Sequence, residues 1–147
     1  MDEARQLGEL LLQGSCLWKQ LHQELDGHGM QPPLSPTLRR LLMTLQTHPG
    51  ENMRQISRHM GLDKSRVSRL ADSLLALGLA ERRNVGEDRR QKRLALTPEG
   101  EAYAAQVICR VNRELVLRLE RLNPPQRARL LELAGELRGL MEPLENR

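Results

Sequence analysis

The chain has 147 residues, a net charge of +4, 39% hydrophobic and 29% charged side chains. A compact chain of this length hides roughly 70% of the surface its unfolded form exposes, which supports a core without disulfide staples; the composition excludes a disordered tail and a fibrous repeat. Thirty Leu stand against five Val, two Ile, one Trp, one Tyr and no Phe, the reverse of what a β-sandwich or barrel uses, so the fold class is mostly α.

In chain order, Leu7, Leu10, Leu11, Leu17, Trp18, Leu21 and Leu25 recur at helical spacing until Asp26, Gly27, His28 and Gly29 end the pattern. Ser35 before Pro36 reads as an N-cap and first-turn proline, opening a second helix with Leu38, Leu41, Leu42 and Leu45 inward and closing at His48, Pro49 and Gly50. Asn52 and Gln55 stand at capping-box spacing before a short third helix, with Met53, Ile56 and Met60 inward and Gly61 as terminator. Asp63 caps a fourth, whose inner stripe is Val67, Leu70, Ala71, Leu74 and Leu77. The third and fourth helices, joined tightly at Gly61 and Leu62, form a helix-turn-helix candidate.

The one strand-like region follows, Ala80 to Val85 and Lys92 to Thr97 around a polar turn, predicting a small β-hairpin with a basic tip. Thr97, Pro98 and Glu99 open a fifth helix carrying Tyr103, Val107, Val111, Leu115, Leu119 and Leu122; Asn123 to Gln126 open a sixth with Leu130, Leu133, Leu137, Leu140 and Leu144.

Charge is unevenly placed along this order. Residues 51–93 hold nine Arg and two Lys against six acids, a surplus of five, whereas the remainder is slightly acidic. Twenty of the 23 basic residues are Arg, whose planar fork suits phosphates and guanine edges, so nucleic acid is the leading partner. On the fourth helix a 100° step sets Ser65, Ser68, Arg69 and Asp72 opposite the Leu stripe, flanked by Lys64 and Arg66. Small residues there permit close approach to a duplex, Arg can fork onto guanine, and the helix N-terminus favours phosphate. A solvated charged face is the plain alternative.

The hairpin adds six basic residues among twelve and few apolar ones, which fits a wing reaching a minor groove. Arg82 lies on its ascending strand, and Asp88, Arg89 and Arg90 at its tip. Asp88 reads equally as a brace for a neighbouring guanidinium and as a turn former.

The run Gly61 to Gly100, with Ser-Arg-Leu at 68–70, Gly-Leu at 78–79, Asp-Arg-Arg at 88–90 and Leu-Thr-Pro-Glu-Gly at 96–100, resembles the MarR family of bacterial winged helix-turn-helix regulators. That resemblance implies a helical dimerisation region, 1–34 and 98–147, around a DNA-binding lobe, 35–97. It further implies a homodimer with one recognition helix in each major groove of a near-palindromic duplex operator, and a wing motif falling on Asp88 and Arg90. A cleft of the family binds aromatic or phenolic anions; Trp18 and His22, one turn apart, would line it, with core packing as the alternative. Peroxide-sensing members carry a reactive Cys near the end of the first helix, and Cys16 and Cys109, both in the expected dimer region, are the candidates; buried inert thiol is the plainer reading.

Other chemistry finds little support. The four His are scattered in sequence without H-x-x-x-H spacing or a neighbouring Cys, so no metal site or cofactor is expected. Phosphate-binding glycine loops, nucleophile elbows and paired-carboxylate motifs are missing, which argues against an enzyme. With no apolar run of membrane length and an acidic N-terminus, the expectation is a cytoplasmic protein without a membrane partner. The expected function is a transcriptional repressor released by a small effector; the rivals are a winged-helix module that docks an acidic protein and a thiol-based peroxide switch.

Overall fold

The computed structural model describes residues 1–25, 29–84, 86 and 92–145. Among them the expected elements follow in order: α1 (Asp2–Gln23), α2 (Pro36–Thr47), α3 (Met53–Met60), α4 (Lys64–Ala76), β1 (Ala80–Asn84), β2 (Lys92–Leu96), α5 (Pro98–Leu119) and α6 (Pro124–Glu145). The chain divides into two compact units, Met1–Val111 and Asn112–Arg147, and the expected lobe 35–97 lies wholly within the first.

The core of the first unit is built where the apolar periodicities meet. Leu41 and Leu42 of α2, Ile56 of α3, and Val67, Ala71 and Leu74 of α4 are fully excluded from solvent, joined by Leu21 of α1 and Ala104 and Val107 of α5. Each short helix begins at the residue whose side chain can accept an orphan N–H. Ser35 Oγ accepts from Leu38 N at 3.2 Å, and Asn52 and Gln55 exchange reciprocal bonds of 2.8 and 2.9 Å. Gly61, at φ +63°, takes the left-handed conformation that ends α3 and turns the chain into α4. The Arg40 guanidinium donates to the Met60 carbonyl, tying α2 to the end of α3.

The hairpin is antiparallel, with Ala80 opposite Leu96, Arg82 opposite Leu94 and Asn84 opposite Lys92. Ala80, Leu94 and Leu96 are buried, so the base of the hairpin is a wall of the core. These three flank the basic run 82–93, in which Arg82, Arg83, Asn84 and Lys92 stay exposed. Leu-Thr-Pro-Glu-Gly at 96–100 gains a physical reason here. Thr97 Oγ1 donates to the Gly78 carbonyl at 2.7 Å and accepts from Gly100 N at 3.1 Å, capping α5 while clasping the end of α4. A Cβ on Gly100 would sit 1.9 Å from the Leu79 carbonyl oxygen, so only glycine fits.

Several residues assigned to inner stripes lie elsewhere. Leu77 is exposed because α4 closes at Ala76 and Leu77 is already its C-cap. Leu122 falls beyond the end of α5. In the second unit, Asn123 and Gln126 form a reciprocal cap at the start of α6. Yet Leu130, Leu133, Leu140 and Leu144 of α6 are all exposed, the last two at 71% and 68%. Leu10, Leu11, Leu12, Leu17 and Trp18 of α1 are exposed as well. No helix among the described residues is long and apolar enough to cross a membrane.

Candidate nucleic-acid interface

The α3–turn–α4 unit places its charged residues as the helical-wheel argument requires. Lys64, Ser65, Arg66 and Arg69 are exposed and Ser68 is half-buried, while Val67, Ala71 and Leu74 on the opposite face pack inward. Burial of that stripe fixes the rotation of α4 about its axis, so the outward direction of Ser65, Ser68 and Arg69 follows from core packing.

At the N-terminus of α4 the Asp63 carboxylate accepts from Arg66 N at 2.8 Å and from Ser65 Oγ at 2.5 Å. The Ser65 hydroxyl first, and the Arg66 N–H after it, hold the Asp63 carboxyl below the usual aspartate range. An ionised cap therefore occupies part of the helix N-terminus that the sequence reading left open for phosphate. Lys64 and Arg66 are the exposed cations beside this cap.

The basic residues of the strands do different jobs. Arg82 Nη2 lies 3.8 Å from Asp72 Oδ1, which draws this side chain toward α4. Arg83 pairs with Glu81 and donates to the Leu96 carbonyl at 3.1 Å. Arg93 donates to the Gly50 carbonyl at 2.9 Å, linking β2 to the loop before α3. Counting basic residues cannot separate these structural guanidinium groups from free ones; strand alternation, which puts Arg83 and Arg93 on one face, gives a partial signal. Asp88, Arg89 and Arg90 lie outside the described residues.

Trp18 and His22 meet as expected, ring centroids 4.3 Å apart and planes at 51°. Both line a cavity of about 350 Å³ together with Lys19, Pro36, Arg40 and Met43. Trp18 is 46% exposed, so the chain by itself does not pack it into a core. Cys16 and Cys109 are likewise exposed, against the reading of buried inert thiols. Each sits on a helix turn that faces away from the core of its own chain.

The histidines are less scattered than their spacing suggests. His48 and His59 stack with Glu51 beside them, a cluster that sequence reasoning missed because α2, its loop and α3 must fold before the three converge. The i, i+3 relation of His48 and Glu51 was the available signal.

The fold is that of a winged helix-turn-helix protein, and comparison with known proteins shows what it is similar to. The MarR family model matches residues 33–91, the segment from just before α2 to just before β2. Among solved structures, a MarR family protein from Bacillus stearothermophilus superposes with a TM-score of 0.78 at 23% identity, covering 95% of each chain. A transcriptional regulator from Thermotoga maritima gives 0.66 at 24% identity, over 97% of this chain and 99% of that one. The PcaV transcriptional regulator from Streptomyces coelicolor, solved in complex with its natural ligand, gives 0.57 at 22%, over 85% and 89%. No curated protein matches the sequence. The family match thus covers residues 33–91, and the chain as a whole has the winged-helix fold of these MarR-family structures.

Proposed function

We propose that the protein is a homodimeric, sequence-specific DNA-binding repressor released from its operator by a small aromatic or phenolic anion. The observation that carries the reading is the polar face of α4, where Lys64, Ser65, Arg66 and Arg69 stand clear of solvent-excluding neighbours on a helix anchored by Val67, Ala71 and Leu74. In this reading α4 enters the major groove, Arg69 and Ser68 face base edges, and Lys64, Ser65 and Arg66 meet the backbone. Arg82, Asp88, Arg89 and Arg90 belong to the wing, with Arg90 in the minor groove.

Two further observations support the finer parts. Leu10, Leu11, Leu12 and Leu17 of α1, and Leu130, Leu133, Leu140 and Leu144 of α6, stand exposed, and a second copy would cover them. The cavity beside Trp18 offers an aromatic face with Lys19 and Arg40 at hand, a donor set for an aromatic carboxylate or phenolate. An anion bound there that favours another spacing of the two recognition helices would weaken operator binding.

Selection of duplexes from a random pool, followed by anisotropy titration of the winner, tests the reading. Arg69→Ala is expected to lose about 1–3 kcal/mol per half-site and to relax preference at one base position. Arg82→Ala is expected to weaken all duplexes alike and to flatten the salt dependence. Salt-dependent binding without preference among sequences would favour docking to an acidic protein instead.

A further inference from the structure

The loop joining α2 to α3 carries a side-chain cluster that the DNA-binding reading does not use. His48 directly follows α2, Glu51 precedes the Asn52 cap, and His59 is the penultimate residue of α3. The two imidazole rings stack with centroids 3.9 Å apart and 12° between their planes. Glu51 faces both: Oε2 is 2.7 Å from His59 Nε2, and Oε1 is 4.0 Å from His48 Nδ1. Oε2 is shut off from solvent, yet it accepts no hydrogen bond among the described residues. The approach of His59 is thus close but not aligned as an N–H···O bond, and a buried carboxylate oxygen left so is costly. One donor atom from each of the three residues lies within 4.8 Å of the others.

We propose that His48, Glu51 and His59 form a binding site for a divalent transition metal of the zinc type, which staples the end of α2 to α3. Two imidazoles and a carboxylate are a donor set that Zn²⁺ accepts, with a fourth position left for water. Magnesium and calcium favour shells built from oxygen, so two nitrogens among three donors disfavour them. Tetrahedral bonds of about 2.0–2.1 Å put donor atoms about 3.3 Å apart, so the cluster must contract by at most about 1.5 Å while the Glu51–His59 pair opens and the stacked imidazoles turn out of parallel, since their lone pairs lie in the ring planes.

The contraction falls on side chains that can supply it. His48, Glu51 and His59 are partly exposed, at 38%, 25% and 28% of their side-chain surface, so rotation about their χ angles meets little packing. The backbone beneath is held: the Asn52–Gln55 box fixes the start of α3, Arg40 ties α2 to Met60, and Arg93 of β2 holds the Gly50 carbonyl. An ion here would exchange the unaligned contact at Glu51 for a bonded one and cross-link three segments of the first unit.

The test uses the full chain stripped with a chelator and titrated with Zn²⁺ alone against a chromophoric competitor. One equivalent per chain is expected, with a Tm that rises with Zn²⁺ concentration. Co²⁺ substituted for Zn²⁺ should give visible d–d absorption and no thiolate charge-transfer band, which separates this site from one using Cys16 or Cys109. His59→Gln and Glu51→Gln should each weaken Zn²⁺ by about 100-fold or more, since loss of even an outer-shell partner costs 10–100-fold, with helix content by circular dichroism unchanged. Should either variant lose helix, His48→Gln, whose side chain is the most exposed of the three, takes its place. Unaltered affinity in the variants, a Tm indifferent to Zn²⁺, or a thiolate band would overturn the proposal.

Discussion

The helix-turn-helix segment and the outer helices use the same Leu-rich alphabet and reach opposite ends. In α2 and α4 the apolar stripe closes on itself: Leu41, Leu42, Val67, Ala71 and Leu74 are fully excluded from solvent within one chain. In the first half of α1 and along α6 a similar periodicity leaves Leu10, Leu12, Leu140 and Leu144 at 51–71% exposure. Amphipathic spacing thus specifies a helix and a sticky face without saying what the face sticks to. Burial within one chain marks a self-sufficient core, and its absence marks an apolar face left uncovered, which the proposed dimer would cover with a second copy.

The sharpest way to break this contrast is to overfill the self-sufficient side. Gly100→Ala drives a Cβ into the Leu79 backbone, where nothing flexible can yield. The expected loss is several kcal/mol, at the upper end of the roughly 1–3 kcal/mol typical of overpacking. Leu42→Ala, a cavity at a fully excluded site, is expected to cost about 2–5 kcal/mol. Chemical denaturation should show both as lower midpoints at any protein concentration. A mild effect at Gly100 would mean that the clasp between α4 and α5 is looser than its bonds indicate.

On the other side the same chemistry should act through association. Leu133→Arg with Leu140→Arg removes apolar surface from α6 that the chain does not bury, so helix content should persist while self-association fails. Sedimentation is expected to move from about twice the chain mass to the 16.8 kDa of a single chain. Operator affinity should fall with it, because each half-site would then be bound independently. If the parent already sediments as a monomer, the exposed faces need another explanation.

Legibility followed the same division. The caps at Ser35, Asn52, Asp63 and Thr97 were readable because capping depends on residues three or four positions apart. The rotation of α4 was readable because its stripe is unambiguous. Missed were relations that exist only after distant segments meet: Arg93 reaching Gly50, Arg82 leaning on Asp72, and His59 returning to Glu51. The exposed thiols were missed for a related reason, since the tendency of free Cys to be buried says nothing about which helix face is left uncovered.

Within the cavity the contrast can be tested with one chromophore. Trp18, the only tryptophan, stands at its edge, and His22 behind it is buried. A hydroxybenzoate entering the space should quench Trp18 emission saturably, and Lys19→Ala should weaken that response by about tenfold, the usual worth of one charge-assisted hydrogen bond. Saturable quenching that also releases duplex DNA would tie the cavity to the α4 surface; quenching that leaves DNA binding untouched would separate them.

The smallest effect concerns Asp63, where one carboxylate serves the fold and adds negative charge to the basic face proposed to meet DNA. Its native carboxyl is held below the usual aspartate range, foremost by the Ser65 hydroxyl. The unfolded chain therefore takes up the proton first as pH falls. The cap contributes its full stability above the unfolded pKa of about 4, and that contribution disappears as pH drops through the lower native value. Asp63→Asn keeps an oxygen acceptor for Arg66 N but has no charge to titrate. At neutral pH the variant should melt slightly below the parent, with the gap narrowing on acidification below pH about 4. On DNA the sign should reverse, because removing a negative charge next to Lys64 and Arg66 relieves repulsion from the backbone and raises affinity for duplexes of any sequence. Thermal melts across pH and anisotropy on an unrelated duplex read the two arms separately. A melting gap that does not change with pH would show that the cap acts only as a hydrogen-bond acceptor, and unchanged duplex affinity would place Asp63 away from the bound phosphates.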